Sequence, residues 1–190
     1  MASSQLDLFQ VPTALPEGLA YRPEFVAAAE ERALAARFES LAFKPFEFRG
    51  YLGKRRVVSF GWRYDYTARA LEQVSEIPDF LVPLRDRAAG FAGLDPRAFR
   101  QALVTEYVPG AGIGWHRDRP QFAEVVGISL LSACVLRFRR GRGPEWERRQ
   151  LLAEPRSAYV LTGPSRSQWE HSIAAVDALR YSVTFRRLVD

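Results

Sequence analysis

This chain contains only two histidines, and each stands near other residues that can bind a metal. His116 lies in the segment GIGWHRDRP, with Asp118 two positions later, and His171 lies in WEHSI. Residues i and i+2 of a β-strand face the same side, so His116 and Asp118 are predicted to point at one ion. His171 on a neighbouring strand would complete the site. Two histidines and one carboxylate, with the opposite positions open, are the ligand set of non-heme Fe(II) oxygenases.

These three residues alone leave other interpretations open. An H-x-D triplet follows a given histidine by chance in roughly one case in twenty, so the motif is weak evidence by itself. An isolated histidine such as His171 is usually a surface or core residue. Zinc hydrolases also use histidine and aspartate ligands. A metal site therefore needs support from another part of the sequence.

The segment RYSVTFRRL near the C-terminus has the alternation of a β-strand. One face carries two arginines and two hydroxyls: Arg180, Ser182, Thr184 and Arg186. The other face is mostly apolar: Tyr181, Val183, Phe185 and Leu188, with Arg187 the exception. Buried arginines need anions, and the two guanidinium groups, roughly 20 Å apart along an ideal strand, could grip opposite ends of one small dicarboxylate. The alternative, which the strand alone would favour, is a solvent-facing edge strand.

Together, these segments resemble the AlkB family of Fe(II)- and 2-oxoglutarate-dependent dioxygenases. The pattern is H-x-D at 116–118, a histidine at 171 and R-x-S-x-x-x-R at 180–186. Upstream, EYVPGAGIGWHRD is similar to the family's Tyr-x-x-Gly segment before the first metal ligand, and GPSRSQWEHSI to the turn that carries the second histidine. The resemblance covers approximately residues 43 to 188.

The resemblance implies an α+β double-stranded β-helix, or jelly roll, with N-terminal helices packed on one side. The implied metal ligands, which also form the catalytic centre, are His116, Asp118 and His171. The implied cosubstrate-binding residues are Tyr107, Arg180, Ser182 and Arg186. Arg180, Ser182 and Tyr107 would hold the distal carboxylate of 2-oxoglutarate, and Arg186 would lie near its 1-carboxylate. With Fe(II) and O2 the enzyme would oxidise a C–H bond, and an N-methyl group would leave as formaldehyde.

Residues 43 to 66, FKPFEFRGYLGKRRVVSFGWRYDY, mix aromatic and basic side chains. In the AlkB family this region forms a lid over the substrate. Basic residues there could hold phosphates while aromatic residues stack on a flipped base. The substrate-binding residues predicted on this basis are Lys54, Arg55, Arg56, Trp62 and Tyr64. The alternative is that the aromatic residues of this segment, Tyr66 among them, only pack within a β-hairpin.

Two positions depart from the nucleic-acid repair members and leave the substrate open. Thr105 stands where those members often carry asparagine, and Pro120 stands where the bacterial repair prototype has an acidic residue. The leading hypothesis is oxidative demethylation of alkylated nucleic acid, either single-stranded DNA or RNA. A second is a 2-oxoglutarate oxygenase that acts on a protein or small molecule. A third is a non-catalytic metal-binding jelly roll, against which the intact ligands and both arginines argue.

The composition is that of a soluble globular protein, with 47% hydrophobic and 26% charged residues. We expect an extended segment over residues 1–20 and one domain over residues 21–190. The single cysteine, Cys134, excludes an internal disulfide and a cysteine-rich zinc site, and it is predicted to be buried. The net charge of +5 is compatible with a nucleic-acid partner. The chain shows neither a signal peptide nor an apolar run of membrane-spanning length, so we expect a cytoplasmic monomer.

Helices are predicted before Asp95 and strands after it. Residues 23–43 have apolar residues at helical spacing, with Pro23 in the first turn. Residues 77–93 predict a second helix that is broken or delayed by Pro83 and ends near Gly90 or Gly93. Beyond Asp95, short apolar or alternating runs are punctuated by glycine and proline. The simplest architecture is a set of N-terminal helices on a β-rich barrel or double sheet.

Overall fold

The structure, a computed structural model, describes residues 14–48, 51–65, 68–142 and 145–189. The strands within these ranges are β1 Leu19–Arg22, β2 Lys44–Phe48, β3 Tyr51–Asp65, β4 Ala70–Gln73, β5 Phe99–Tyr107, β6 Ile113–His116, β7 Phe122–Leu130, β8 Cys134–Arg142, β9 Glu145–Ala153, β10 Ser157–Leu161, β11 Glu170–Ile173 and β12 Arg180–Leu188. The helices are α1 Ala28–Phe38, α2 Val82–Ala92 and α3 Gly163–Ser167, with short 3-10 helices at Asp79–Leu81 and Pro96–Ala98. The predicted α+β class is confirmed, but the prediction that only helices precede Asp95 is wrong, because strands β1 to β4 also lie before it.

The strands form two antiparallel sheets. The major sheet has the order β1-β10-β7-β12-β5-β3-β2, with β4 paired to β3, and the minor sheet has the order β6-β11-β8-β9. Apart from the pairs β2–β3, β3–β4 and β8–β9, neighbouring strands within each sheet come from distant parts of the sequence, as in a jelly roll. One consequence is that β6 and β11, which carry the two histidines, lie side by side in the minor sheet.

Two hydrophobic cores lie on opposite faces of the major sheet. The outer core contains residues of α1 and α2 packed on Tyr181, Val183 and Phe185 of β12. The inner core lies between the two sheets and includes Phe138 and Trp169. Because β12 alternates, the face opposite its apolar residues turns towards the space between the sheets. The predicted two-faced strand is therefore confirmed, and its polar face is interior rather than solvent-facing.

The first helix is shorter than the sequence pattern predicts. It begins at Ala28, so the prediction that Pro23 stands in its first turn is wrong. The backbone N–H groups of Phe25 and Val26 both donate to the carbonyl oxygen of Arg156, at 2.7 and 3.0 Å. These two hydrogen bonds hold the chain to the turn before β10, so helical bonding starts only after them.

The second helix follows the prediction closely. A 3-10 turn at Asp79–Leu81 leads into α2, where Pro83 occupies the first turn, a position at which the missing N–H of proline is tolerated. Gly93 ends the helix with φ of 69°, a left-handed conformation that glycine adopts without strain. The predicted end near Gly90 or Gly93 is confirmed.

The N-terminal boundary and the membrane prediction can be compared with the described residues. Strand β1 pairs with β10 and includes Leu19 and Ala20, so the major sheet begins within the segment predicted to be extended. Residues 1–13 lie outside the described residues. Across the described ranges, no helix combines the length and the apolar character needed to cross a membrane. Cys134 is buried, as predicted.

Candidate active site

The two histidines meet across the pairing of β6 with β11. His116 and His171 are direct partners in the register of these antiparallel strands. Their ring centroids lie 4.3 Å apart, and the ring planes are inclined by 57°. His116 Nδ1 lies 2.9 Å from the carbonyl oxygen of Gly114. Because a carbonyl only accepts, Nδ1 carries the proton, which leaves the Nε2 lone pair of His116 available to a metal.

Asp118 reaches this pair by a different route from the one predicted. Strand β6 ends at His116, so alternation along a strand does not place Asp118 beside it, and that part of the reasoning is wrong. An arginine on β12 holds the carboxylate instead. Arg186 Nη2 donates to Asp118 Oδ1 at 3.0 Å, and Arg186 Nη1 donates to Gln101 Oε1 at 2.9 Å. The second carboxylate oxygen, Oδ2, lies 4.0 Å from His171 Nε2.

The surroundings set the protonation states of these three side chains. Burial lowers the pKa of His171 to about 3, with a further contribution from His116. Burial also lowers the pKa of His116. For Asp118, burial acts to raise the pKa, but Arg186 and the two histidines outweigh it and hold the pKa well below its usual range. Two neutral imidazoles and an ionised carboxylate are the forms that bind a metal ion.

The donor set fits Fe(II), but the side chains do not yet surround one point. Among the described residues, no three histidine, cysteine, aspartate or glutamate side chains are arranged to hold an ion as they stand. At Asp118, Oδ1 accepts a hydrogen bond from Arg186, and Oδ2 lies 4.0 Å from His171 Nε2. A 4.0 Å separation is too long for a hydrogen bond. The fit rests on the convergence of these three side chains and on the chemistry of the donor set.

A second polar centre lies at the other end of β12, around Arg180. This side chain is fully buried, and its Nε donates to Ser129 Oγ at 3.0 Å. Its two terminal nitrogens, Nη1 and Nη2, are buried and have no hydrogen-bond partner within the described ranges. Tyr107 is the partner of Arg180 in the register with β5, and the guanidinium lies 4.7 Å from its ring centroid. A buried cation with two unsatisfied nitrogens requires an anion.

The remaining predicted cosubstrate residue, Ser182, is buried on the same face of β12 as Arg180. Two other inward-facing residues were not singled out by any motif. Gln101 accepts a hydrogen bond from Arg186, and Tyr159 lies with its ring over Gly127. Alternation along the segment SAYVL would have predicted that Tyr159 shares a face with Ser157, but no spacing indicated which face is interior.

The predicted basic triplet of β3 is divided between the two faces of the sheet. Arg56 forms a two-point ion pair with Glu106, at 2.7 and 2.9 Å, on the face that also carries Tyr181 and the helices. Lys54 is exposed. Arg55 alternates to the other face and lies 3.8 Å from the ring centroid of Phe46. The structure therefore does not bring Arg56 to the site face, because its guanidinium already binds a buried carboxylate.

The two predicted lid aromatics also differ in their surroundings. The guanidinium of Arg119, which follows Asp118 directly, lies 4.9 Å from the ring centroid of Tyr64. The ring of Trp62 instead lies 5.7 Å from the guanidinium of Arg100, whose side chain is exposed. Tyr64 is thus close to the loop that carries Asp118, whereas the observed partner of Trp62 lies on β5. Tyr66 lies outside the described residues.

Comparison with known proteins identifies the class. Residues 24–186 match the family described as the 2OG-Fe(II) oxygenase superfamily, and the chain belongs to it. Its similarity to individual proteins places it more narrowly, in the AlkB family. In Arabidopsis thaliana, an alkylated DNA repair protein ALKBH8 homolog is 29% identical over 182 residues, which cover 82% of this chain and 50% of that protein.

The name of a second relative gives a different activity. The tRNA (carboxymethyluridine(34)-5-O)-methyltransferase ALKBH8 of Mus musculus is 30% identical over 172 residues, which cover 84% of this chain and 24% of that protein. The chain thus spans half the length of the first relative and about a quarter of the second. The solved structure of OsALKBH1 superposes with a TM-score of 0.71 at 17% identity, over 92% of this chain and 98% of that one, which shows the shared fold.

These findings confirm several predictions made from the residues. The resemblance to the AlkB family and the jelly-roll fold are confirmed. The family also confirms the class of enzyme, which is an Fe(II)- and 2-oxoglutarate-dependent dioxygenase. Its requirement for Fe(II), 2-oxoglutarate and O2 is confirmed at the same level. The assignment of individual ligands and the monomeric state stay predictions.

Proposed function

We propose that this chain carries out oxidative demethylation of alkylated nucleic acid, single-stranded DNA or RNA. The observation that carries its chemistry is the pairing of two centres along β12. One has two neutral imidazoles beside an ionised carboxylate, and the other has a buried guanidinium with two unsatisfied nitrogens. A metal ion fits the first centre and an organic anion the second.

The metal ligands in this proposal are His116, Asp118 and His171. When bound there, Fe(II) with 2-oxoglutarate supplies oxidation of a C–H bond by O2, with release of succinate and carbon dioxide. The protein keeps both histidines unprotonated by burial and keeps Asp118 ionised through Arg186. Arg186 therefore acts by orienting Asp118, at the end of the cosubstrate where its 1-carboxylate would lie.

Arg180, Ser182 and Tyr107 hold the distal carboxylate in this proposal. Arg180 offers two parallel N–H groups, a geometry that matches the two oxygens of a carboxylate. Burial of the guanidinium excludes water, which strengthens its attraction for an anion. Ser129 fixes the guanidinium through its Nε, so the terminal nitrogens are pre-oriented before the cosubstrate arrives.

A nucleic-acid substrate is supported by the names of two relatives, one a DNA repair protein and the other an enzyme of tRNA. Arginines also lie over aromatic rings near the site, with Arg55 over Phe46 and Arg119 over Tyr64. Such pairs can hold a phosphate and stack on a base. Chemistry on a base requires that the base leave its stack, which favours single-stranded or locally unpaired substrates.

A second candidate is a 2-oxoglutarate oxygenase that acts on a protein or small molecule. It is favoured by the ion pair of Arg56 with Glu106 and by the contact of Trp62 with Arg100, which occupy two of the predicted lid contacts. Fewer lid residues are then available for phosphates and bases. The chemistry at the metal would be unchanged.

A substrate panel separates these candidates. Methylated single-stranded DNA, double-stranded DNA, RNA and peptides are incubated with protein, Fe(II), 2-oxoglutarate and O2, and formaldehyde and succinate are measured. Formaldehyde from a single-stranded oligonucleotide, absent with Asp118→Ala, is the expected result. Turnover of a peptide with none of any oligonucleotide would contradict the nucleic-acid proposal.

Salt dependence tests the lid directly. Oligonucleotide affinity should fall with salt with a log–log slope of about −2 to −4, since a few phosphates would be contacted. Arg55→Ala should flatten this slope and leave 2-oxoglutarate consumption without substrate intact. Arg56→Ala is the matched control: because its guanidinium binds Glu106, the slope should not change. A slope that responds to Arg56 alone would contradict this assignment of the two faces.

We also propose that residues 21–190, with β1, act as one oxygenase domain that is monomeric and cytoplasmic. Strand β1 joins the major sheet across the predicted boundary and so belongs to the domain. Light scattering of the purified protein at micromolar concentration should give the mass of one chain, and cell fractionation should place it in the cytosol. A dimer mass, or recovery in another compartment, would contradict these two points.

A further inference from the structure

Tyr159 lies on β10, and its ring covers Gly127 of the neighbouring strand β7. It is the partner of Gly127 in the pairing of β10 with β7, and Gly127 in turn is the partner of Thr184 on β12. A Cβ built on Gly127 would lie 2.3 Å from Tyr159 Cζ and 2.4 Å from its hydroxyl oxygen. The ring therefore passes directly over Gly127, and the hydroxyl is carried beyond β10 towards the polar face of β12.

Glycine at position 127 is what permits this arrangement. Contacts below 3.0 Å are too short for any real Cβ, so a larger residue would force the Tyr159 ring to move. Both residues belong to the interior of the barrel, and Tyr159 is buried within the inner core. The ring position is thus a property of the Gly127–Tyr159 pair, not of the tyrosine alone.

The side chain of Tyr159 lies near several charged and polar side chains. Within the described residues it makes no hydrogen bond. Burial raises the pKa of Tyr159, which Arg180 only partly offsets, with Tyr107, Cys134 and Asp118 acting in the same direction as burial. The phenol is therefore a neutral O–H donor, and both polar centres lie near enough to act on it.

We propose that Tyr159 is a further cosubstrate-binding residue, whose hydroxyl donates a hydrogen bond to the carboxylate of 2-oxoglutarate held by Arg180, with Gly127 as the residue that makes room for it. A buried carboxylate offers about four lone-pair sites. The two terminal nitrogens of Arg180 and one hydroxyl, from Tyr107 or Ser182, would fill three of them, which leaves a place for a further donor. A neutral donor beside them completes its hydrogen bonding without adding charge.

This inference rests on the proposed binding of 2-oxoglutarate between the two centres, and it is independent of the substrate. The competing explanation is that Tyr159 only fills the core. In that case phenylalanine would serve equally well, because it has the same ring and lacks only the hydroxyl. The two explanations therefore differ in the effect of removing a single oxygen atom.

The first test is Tyr159→Phe, with binding of 2-oxoglutarate to Mn(II)-loaded protein measured by titration calorimetry. Loss of a hydrogen bond to a charged group should weaken binding about tenfold to a hundredfold. Tyr21→Phe is the matched control: Tyr21 is the register partner of Tyr159 on β1, but its hydroxyl accepts from the backbone N–H of Glu154 instead. The affinity of the Tyr21→Phe protein for 2-oxoglutarate should be unchanged. Affinity of Tyr159→Phe within twofold of wild type would overturn the inference.

The second test addresses the pairing with Gly127. Gly127→Ala should displace the ring and weaken 2-oxoglutarate binding about as much as Tyr159→Phe does. In the double variant the two effects should not add, because the hydroxyl is lost only once. Thermal unfolding of the metal-free proteins checks folding, and Tyr159→Phe should melt close to wild type. Fully additive effects would overturn the role of Gly127.

The two proposals fail in different ways. Suppose that Tyr159→Phe binds 2-oxoglutarate more weakly than the wild type does, but that no oligonucleotide is turned over. The inference about Tyr159 then stands, and the proposed nucleic-acid substrate is wrong. If the wild type does not bind 2-oxoglutarate at all, both the cosubstrate site and Tyr159 as its donor are overturned.

Discussion

The two ends of β12 carry the same residue type on the same face, yet the two arginines have different surroundings. Arg186 is already satisfied on two of its nitrogens, by Asp118 and Gln101. Arg180 is more deeply buried and has two terminal nitrogens without a hydrogen bond in the described part of the chain. The spacing R-x-S-x-x-x-R does not distinguish these two arginines, but their surroundings in the structure differ.

The comparison teaches that the partner of a buried arginine determines its function. At the Arg186 end, an ionised carboxylate comes from the protein itself, so the guanidinium stabilises a metal ligand. At the Arg180 end, the surrounding groups are hydroxyls and rings, including those of Tyr107 and Ser129, so the counter-ion must come from a ligand. In the proposed function, one end organises the metal site and the other recognises the cosubstrate.

Removal of a metal ligand at the Arg186 end should have the largest effect. Asp118→Ala or His171→Ala should abolish succinate formation in the absence of substrate, because the ion loses one of three ligands. Iron content by metal analysis and succinate by mass spectrometry provide the measurements. Asp177→Ala, an exposed aspartate, is the control and should retain both. Normal turnover in Asp118→Ala would refute the three-residue metal site.

Arg180→Ala should weaken 2-oxoglutarate binding by about 2–5 kcal/mol, because a desolvated charge pair would lose one partner. Titration calorimetry on Mn(II)-loaded protein measures this directly. Arg187→Ala is the control on the same strand, where the guanidinium forms an ion pair with Glu124 of β7. If affinity in Arg180→Ala matched that of wild type, the buried guanidinium would have some purpose other than the cosubstrate.

Arg186→Ala should have a different and smaller signature. Loss of the group that orients Asp118 should lower metal affinity about tenfold to a hundredfold. The effect on 2-oxoglutarate should remain below that of Arg180→Ala. Competition with a chelator measures the metal affinity. Should both variants weaken 2-oxoglutarate equally and leave the metal affinity alone, the contrast between the two ends would be wrong.

The smallest effect concerns pH, and it should be confined to the Arg186 end. The pKa of His171 falls from 6.5 to about 3 on folding, so between these values the unfolded chain binds more protons than the folded one. The contribution of His171 to the free energy of unfolding is therefore fully present above pH 6.5 and is lost as the pH falls towards 3. Between pH 7.5 and 5.5 this amounts to about 1.4 kcal/mol.

Chemical denaturation of metal-free protein at the two pH values measures this loss, and in His171→Asn it should shrink. His116 acts in the same direction, since burial also lowers its pKa. At the Arg180 end, burial raises the pKa values of Tyr159 and Cys134, which therefore stay neutral throughout this range. An unchanged pH dependence in His171→Asn would place its source in another part of the molecule.

Much of the site could be predicted from the sequence because its parts are local. The two faces of β12 follow from alternation between Arg180 and Arg186, before the register shifts, and α2 follows from Pro83 and Gly93 near its ends. The class of enzyme followed from combining three motifs that are weak separately. The start of α1 was predicted wrongly for a reason that is not local. The helix begins at Ala28 because the distant carbonyl oxygen of Arg156 accepts hydrogen bonds from the backbone before it.

The sequence by itself determined the residue types: two histidines, an aspartate and an arginine pair, at spacings that resemble those of the AlkB family. Tertiary structure alone decided how they are used. Asp118 lies outside any strand and is held by Arg186, 68 residues away in the sequence. Arg56 is paired with Glu106, and the ring of Tyr159 lies over Gly127. These outcomes depend on strand register, which brings distant residues within hydrogen-bonding distance and is not encoded in local spacing.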